Sequence, residues 1–326
     1  MADKNNSAKK IDLSLKKINF AKLKKLKAVN IISKAAIYFV LICIGYVYLE
    51  PIFEMVSKSI MTAADLIDPS ITWIAKHATF DNFASAVKTL DVPATLINSI
   101  WFSGLLAIAQ TAVSAMTGFA LSRYTFRGRN VWYIMLVLAF ILPVPLLTVP
   151  RLMIFNQLYT ITGIKLIGSI GPQFLMALLG QGTYSTMLIL IFYNFFNMIP
   201  KSLDEAAMID GAGSMKVFYH VAIRLSMATI LVVFLFSFVF NWNETYTTNT
   251  MLRNSVELLP VKLSLFDNEA GGGVASNINE AQKMAATLIS IVPLLILYAL
   301  VQKQFIQGIE NTGITGCLLY TSDAAD

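Results

Sequence analysis

The sequence predicts an all-α fold, a polytopic membrane protein with six transmembrane helices. Three observations predict it. The 326-residue chain is 56% hydrophobic and only 13% charged, about half the charge of an ordinary soluble domain. Its mean hydropathy is +0.65, which means more apolar surface than one soluble core can hide. The apolar residues also fall in six runs of about 20 or more, the length a helix needs to cross ~30 Å of hydrocarbon. Such runs are too long and too uniform for barrel strands.

The runs cover residues 35–56, 94–121, 131–155, 172–198, 226–246 and 285–306. The first is full-length and reaches Glu50-Pro51 without a small-residue cleavage site, so it reads as a span and not as a secretory leader. In the third, Pro143, Pro145 and Pro150 are expected to kink or break the helix. Gly180-Gln181-Gly182 interrupts the fourth, whose regular part is expected to begin near Thr183. The longest connections are residues 57–93 and 247–284, the latter carrying Gly271-Gly272-Gly273 as a flexible patch.

Lysine and arginine orient the spans. With the N-terminus inside, seventeen of the 25 fall on the cytoplasmic side, among them Arg123, Arg127, Arg129, Lys201, Lys216 and Arg224. Eight fall outside, so each short loop obeys the positive-inside rule and both termini are cytoplasmic. The net charge of +6 reflects this topology, and no nucleic-acid partner is needed to explain it. Residues 1–34 form a basic cytoplasmic arm with Leu15, Ile18, Leu26 and Val29 among its lysines. It reads either as an interfacial helix on anionic membrane lipid or as a solvated tail that fixes topology.

Enzyme chemistry is missing from the pattern. Cys43 and Cys317 are too few for a disulfide framework or a cysteine zinc site, and His77 and His220 lack metal-ligand spacing. There is no P-loop, and Gly211-Ala212-Gly213 does not complete a dinucleotide fingerprint. No catalytic residue, metal or cofactor is expected in this chain; if ATP is used, another subunit hydrolyses it.

Residues 200–225, between the fourth and fifth runs, are the most informative. Ser202 or Asp204 can cap a helix whose first turn is acidic. Ala206 and Ala207 form helix without bulk, and Gly211 can end it in a left-handed turn. A second helix follows, with Val217, Phe218, Val221 and Leu225 on one apolar face. Such a hairpin suits docking into a groove of another protein, or packing on its own bundle.

Glu205-Ala206-Ala207-Met208-Ile209-Asp210-Gly211-Ala212 resembles the EAA loop of permease subunits in bacterial binding-protein-dependent ABC importers, and is similar to the carbohydrate branch related to the maltose permeases. Asn98-Ser99, Ala120-Leu121-Ser122-Arg123-Tyr124 with Phe126-Arg127-Gly128, Pro143, Asn241-Trp242-Asn243-Glu244, Leu259-Pro260-Val261 and Phe305-Ile306-Gln307-Gly308 agree with it in order. The resemblance covers about residues 35–316. It implies a type I importer permease fold in the bacterial cytoplasmic membrane, carrying a sugar or oligosaccharide. The implied partners are ABC ATPase subunits that bind ATP and Mg, a second homologous permease and an extracytoplasmic sugar-binding protein. Glu205, Ala206, Ala207, Asp210, Gly211 and Ala212 would couple to the ATPase, and the loop 247–284 would meet the binding protein. Two departures stand out. Arg224 and Ala228 occupy places where the family carries prolines, which implies a straighter entry into the fifth span. Residues 317–326 differ from the family's small, basic ending and are read as a non-native tail.

Polar residues inside spans are candidates for the substrate path, because hydrocarbon penalises them. Asn98, Asn194, Asn241, Asn243 and Glu244 qualify, with Gln110 and Gln181, and Trp242 is placed to stack on a sugar ring. Asn and Gln can equally join helices, and Trp at a span end can serve the interface belt. An ion-coupled carrier would need a midplane acid and an internal repeat, and a non-transporting scaffold would not need the EAA-like loop.

Overall fold

The computed structural model describes residues 33–309 apart from 72, 254 and 267–275. Nearly all of the basic arm, the Gly271–Gly273 patch and the tail at 317–326 lie outside the described residues. The helices are α1 (Ser33–Ser59), α2 (Ala63–Ile67), α3 (Asp81–Leu90), α4 (Val92–Arg123), α5 (Arg129–Ile141), α6 (Val144–Thr162), α7 (Gly171–Leu178) and α8 (Ser185–Met198). They continue with α9 (Ser202–Ile209), α10 (Ser214–Leu225), α11 (Met227–Asn243), α12 (Tyr246–Leu252), α13 (Leu259–Ser264) and α14 (Ser276–Ile309). No strand occurs among the described residues.

Three helices are individually long and apolar enough to cross a membrane: α1, α4 and the Glu280–Lys303 part of α14. The number rises to as many as six if each of three bent pairs is one span: α5 with α6, α8 with α9, and α10 with α11.

The long helix α4 is the spine of the bundle. It packs on α7, α8 and α11, and α11 packs in turn on α14. Gly118 sets the closest approach. A Cβ there would lie 2.6 Å from Phe192 Cβ and 2.9 Å from the Tyr193 backbone nitrogen, so only glycine lets α4 and α8 meet at this depth. Around it Phe119, Phe192, Phe196, Val217, Phe218 and Val233 form one buried cluster. The Phe119 ring centroid lies 5.4 Å from that of Phe196 and 5.2 Å from that of Phe218. A second cluster joins Ala86 and Leu90 of α3 to Ala107, Phe238, Trp242, Leu259, Ala285 and Ala286. By contrast, α1 exposes most of its apolar surface. Its end is tied to α14 by Lys58, whose Nζ lies 2.7 Å from Glu280 Oε1 and 3.0 Å from Glu54 Oε1.

The breaks in the third and fourth spans fall where the sequence places them, and the fifth span ends early. The third is not one helix: α5 and α6 meet at 111°. The break falls at Leu142, extended at ψ 126°, immediately before Pro143. The proline ring disfavours helical backbone in the residue before it, and Pro143 has no N–H to continue the ladder. Pro145 sits in the first turn of α6, whereas Pro150 is accommodated inside it. The fourth is split by residues 179–184, where Gly180 and Tyr184 take φ of 71° and 52°, and its regular part begins at Ser185. The fifth ends at Asn243; Tyr246 already opens the next helix.

The straighter entry into the fifth span is also corrected. α10 and α11 meet at 82° although no proline lies between them. Residues Phe218–Ala222 form a π turn, whose extra residue offsets the hydrogen-bond ladder. The chain then turns at Ser226, fully buried at φ −98° and ψ 11°. Its backbone N–H donates to both Ala222 O and Ile223 O, and its hydroxyl donates to Ile223 O at 3.2 Å. The π turn also moves the apolar face: Val217, Phe218 and Ala222 are buried, while Leu225 is exposed.

Candidate functional site

Two regions combine exposed or polar chemistry with a built geometry. The first is the α9–α10 hairpin. The last turn of α9 closes as a Schellman motif: Gly211 N–H donates to Met208 O and Ala212 N–H to Ala207 O, each at 3.0 Å. Gly211 has φ +82°, a left-handed conformation that a side chain would strain. Neither Ser202 nor Asp204 forms the cap predicted for α9; no side chain caps it. Ser202 instead opens the helix within its first turn, and Asp204 is buried and turned to α4. Asp204 Oδ2 lies 2.9 Å from Arg123 Nε in an ion pair whose angle is too bent for a hydrogen bond. The Arg123 guanidinium also donates through Nη2 to Ile199 O at 3.0 Å. The hairpin is thereby bonded to the end of the longest central helix.

Its outer surface is open. Glu205, Ala206, Asp210 and Gly211 are exposed, and Ala207 and Ala212 are half-buried. Ile209 is 86% exposed, and Leu203 and Met208 are 45% exposed each. An apolar tip rimmed by carboxylates is the composition of a docking surface.

The second region is a polar layer inside the bundle. Gln110 on α4 is buried; its Oε1 accepts from Ser237 Oγ and, at 3.0 Å, from Asn241 Nδ2, both on α11. Gly182 lies against the same side chain, where a Cβ would fall on Gln110 Nε2. Arg151 on α6 donates from Nη2 to Gln181 O at 2.9 Å. Gln173 Nε2 donates to Thr248 Oγ1 at 2.8 Å, and Thr148 and Thr247 hydroxyls lie 3.1 Å apart. Gln110 is 13 residues from Arg123 and Ser185 is 13 residues from Met198, so both lie about 20 Å from the helix ends beside the α9–α10 hairpin at 1.5 Å per residue. The interruption at residues 179–184 therefore lies at the depth of Gln110. Discontinuous helices at midplane are a recurring way to build a transport site.

Residues 110–311 match the model of the family described as binding-protein-dependent transport system inner membrane component. The chain belongs to this family. This permease is 25% identical over 280 residues to the arabinooligosaccharides transport system permease protein AraQ of Halalkalibacterium halodurans, covering 84% of this chain and 93% of that one. It is 28% identical over 246 residues to the trehalose/maltose transport system permease protein MalG of Thermococcus litoralis, covering 73% of this chain and 82% of that one. Its fold matches the crystal structure of a bacterial ABC transporter involved in the import of the acidic polysaccharide alginate, with a TM-score of 0.67 at 20% identity over 84% of this chain and 96% of the other.

The residues expected along the permease's substrate path separate into three groups. Asn241 belongs to the midplane layer. Asn98 and Trp242 are engaged in contacts within the fold. Asn98 Nδ2 donates to Glu257 O at 3.1 Å, and beside it Ser99 Oγ accepts from Leu259 N–H at 2.8 Å. These contacts pin the Leu259-Pro260 segment onto α4, so two motifs far apart in sequence prove to be neighbours. Trp242 is only 3% exposed and stacks on Phe238 at 5.8 Å, inside the α3–α11–α14 cluster. Burial leaves it no free face for a sugar. Its position one residue after Asn241 turns it about 100° around α11, away from the polar layer. Asn194 and Asn243 are exposed on this chain, apart from that layer. Glu244 is half-buried, and its Oε1 accepts from Thr247 N–H at 2.7 Å, holding the first turn of α12. Arg151, Gln173, Thr148 and Thr247 also belong to the layer. Of these, Arg151 stands out in the sequence as a cation inside the third apolar run.

Proposed function

We propose that the permease is one of two similar membrane subunits of an ATP-driven importer for a sugar or oligosaccharide. In this reading the α9–α10 hairpin docks on a separate ATPase subunit that binds ATP and Mg, and an extracytoplasmic binding protein delivers the cargo. The observation that carries it is the hairpin itself, with an exposed Leu203–Met208–Ile209 tip joined to α4 through the buried Asp204–Arg123 pair. A movement of the tip must pull on the spine helix, because breaking that pair would strand a buried charge. Glu205 supplies a charged contact to the partner, and Gly211 keeps the tip's turn. The names of the relatives support a saccharide cargo: arabinooligosaccharides for one and trehalose or maltose for another. The alginate importer that shares the fold moves an acidic one. Both termini are assigned to the cytoplasm by the lysine and arginine distribution.

The test is a pull-down from mild detergent of the tagged permease with its native neighbours, wild type beside Gly211→Val. Wild type is expected to bring down an ATPase subunit and a second permease, and the variant to lose the ATPase while still inserting. A wild type that recovers no ATPase would overturn the reading.

A further inference from the structure

We propose that the midplane layer binds an anionic group flanked by hydroxyls, so that the cargo is an acidic saccharide, with Arg151 as the residue that reads its charge. The inference rests on the importer reading above and names its substrate class. Arg151 lines two adjoining cavities, one bounded by Val144, Gly180 and Gly182, the other by Gln110, Gln173 and Asn241. A guanidinium at this depth is costly and is retained where it meets a partner or a pathway. Among the described residues its one hydrogen bond goes to a neutral carbonyl, that of Gln181. Among the described residues it has no carboxylate within 4 Å. Glu244 is near enough for its field to reach Arg151, but one of its oxygens is committed to Thr247 N–H. The remaining guanidinium donors can hold a carboxylate or a phosphate.

A second, independent feature faces the same space. Gln173 Oε1 is buried and finds no donor among the described residues, while its amide nitrogen is fixed on Thr248. A buried acceptor without a donor is destabilising, and a saccharide hydroxyl in this cavity would satisfy it. Arg151 donors beside a Gln173 acceptor match an acid group next to a hydroxyl. Of the two other amides that line the cavity, Asn241 Nδ2 donates to Gln110 Oε1.

The experiment is ATP-driven uptake by cells carrying the complete importer, with three labelled probes: digalacturonate, glucose 6-phosphate and the neutral disaccharide cellobiose. Wild type is compared with Arg151→Gln and Arg151→Lys. Wild type is expected to favour one acidic probe, which distinguishes carboxylate from phosphate. Arg151→Gln should lower uptake of that probe by ~10-fold or more, the loss of one charge-assisted contact. The preference for that probe over cellobiose should fall with it, and Arg151→Lys should recover part of the loss. A merely structural Arg151, holding the 179–184 break through Gln181, would lower all probes alike and overturn the proposal. So would a wild type that prefers cellobiose or takes up none of the three. In those cases the pull-down decides separately whether the importer reading falls too, since an ATPase that still co-purifies preserves it.

Discussion

Gly118→Ala tests whether the α4–α8 contact sets the geometry of the bundle. The added methyl would sit 2.6 Å from Phe192 Cβ, 2.9 Å from Tyr193 N and 3.1 Å from Ile189 O. Carbon atoms pack best at ~3.5–4.0 Å, so α4 and α8 must separate by about 1 Å. Two of the three obstacles are backbone, so no rotamer change relieves the clash. Overpacking of this kind costs about 1–3 kcal/mol, and the separation also loosens the Phe119–Phe196 ring contact, worth about 0.5–1.5 kcal/mol more. Gly104, on the same helix, has nothing within 4 Å of its ideal Cβ. Gly104→Ala should therefore gain up to ~1 kcal/mol from helix propensity alone. The difference between the two variants should be about 2–4 kcal/mol, read as a lower midpoint of thermal unfolding in detergent for Gly118→Ala. Equal midpoints would refute the reasoning, because helix propensity is the same in both and only the contact differs.

Three further outcomes are expected. Asp204→Asn leaves the Arg123 charge buried without its counter-ion, which should cost about 3–5 kcal/mol and reduce ATP-coupled uptake. The double change Arg123→Met with Asp204→Leu should be milder in thermal unfolding, and a double variant as unstable as the single would remove the ion-pair argument. Trp242→Ala should destabilise by about 3–5 kcal/mol as a core truncation, with the KM for cargo unchanged in the protein that survives; a raised KM at unchanged stability would return Trp242 to the substrate path. In the outer segment, the Ser70 hydroxyl and backbone N–H, and then Lys76, hold the Asp68 carboxyl down to about 2. A depressed carboxylate contributes fully above its ordinary value of 3.8 and fades as the pH falls towards 2. Limited proteolysis of this loop should rise across that window in wild type, and Asp68→Asn should show the raised level already at neutral pH.

The helical class and the six apolar runs were legible because a membrane demands length and apolarity from each segment separately. The Gly211 turn was legible for the same local reason: a glycine after a short alanine-rich helix has one common use. Pro143 announced the break in the third span, and Gly180-Gln181-Gly182 the break in the fourth. What escaped depends on partners distant in sequence. Asp204 looked like a helix cap, but Arg123, 81 positions earlier, claims it. Trp242 looked like a span-end aromatic until α3 and α14 closed over it. The bend at Ser226 escaped because a π turn leaves no proline or glycine in the sequence to mark it. Arg151 was hidden by its own type: the positive-inside rule places such a residue in a loop, and the prolines around it disguised how deep the chain carries it.

The exposed tip of the hairpin also bears on the fate of copies made in excess. Ile209, Met208 and Leu203 present a greasy surface, which the docking proposed above would cover. Under that proposal a supernumerary copy would carry a degradation and aggregation signal that disappears on assembly. The residues proposed to transmit force would then also count the parts, keeping the amount of this subunit matched to that of the proposed partner.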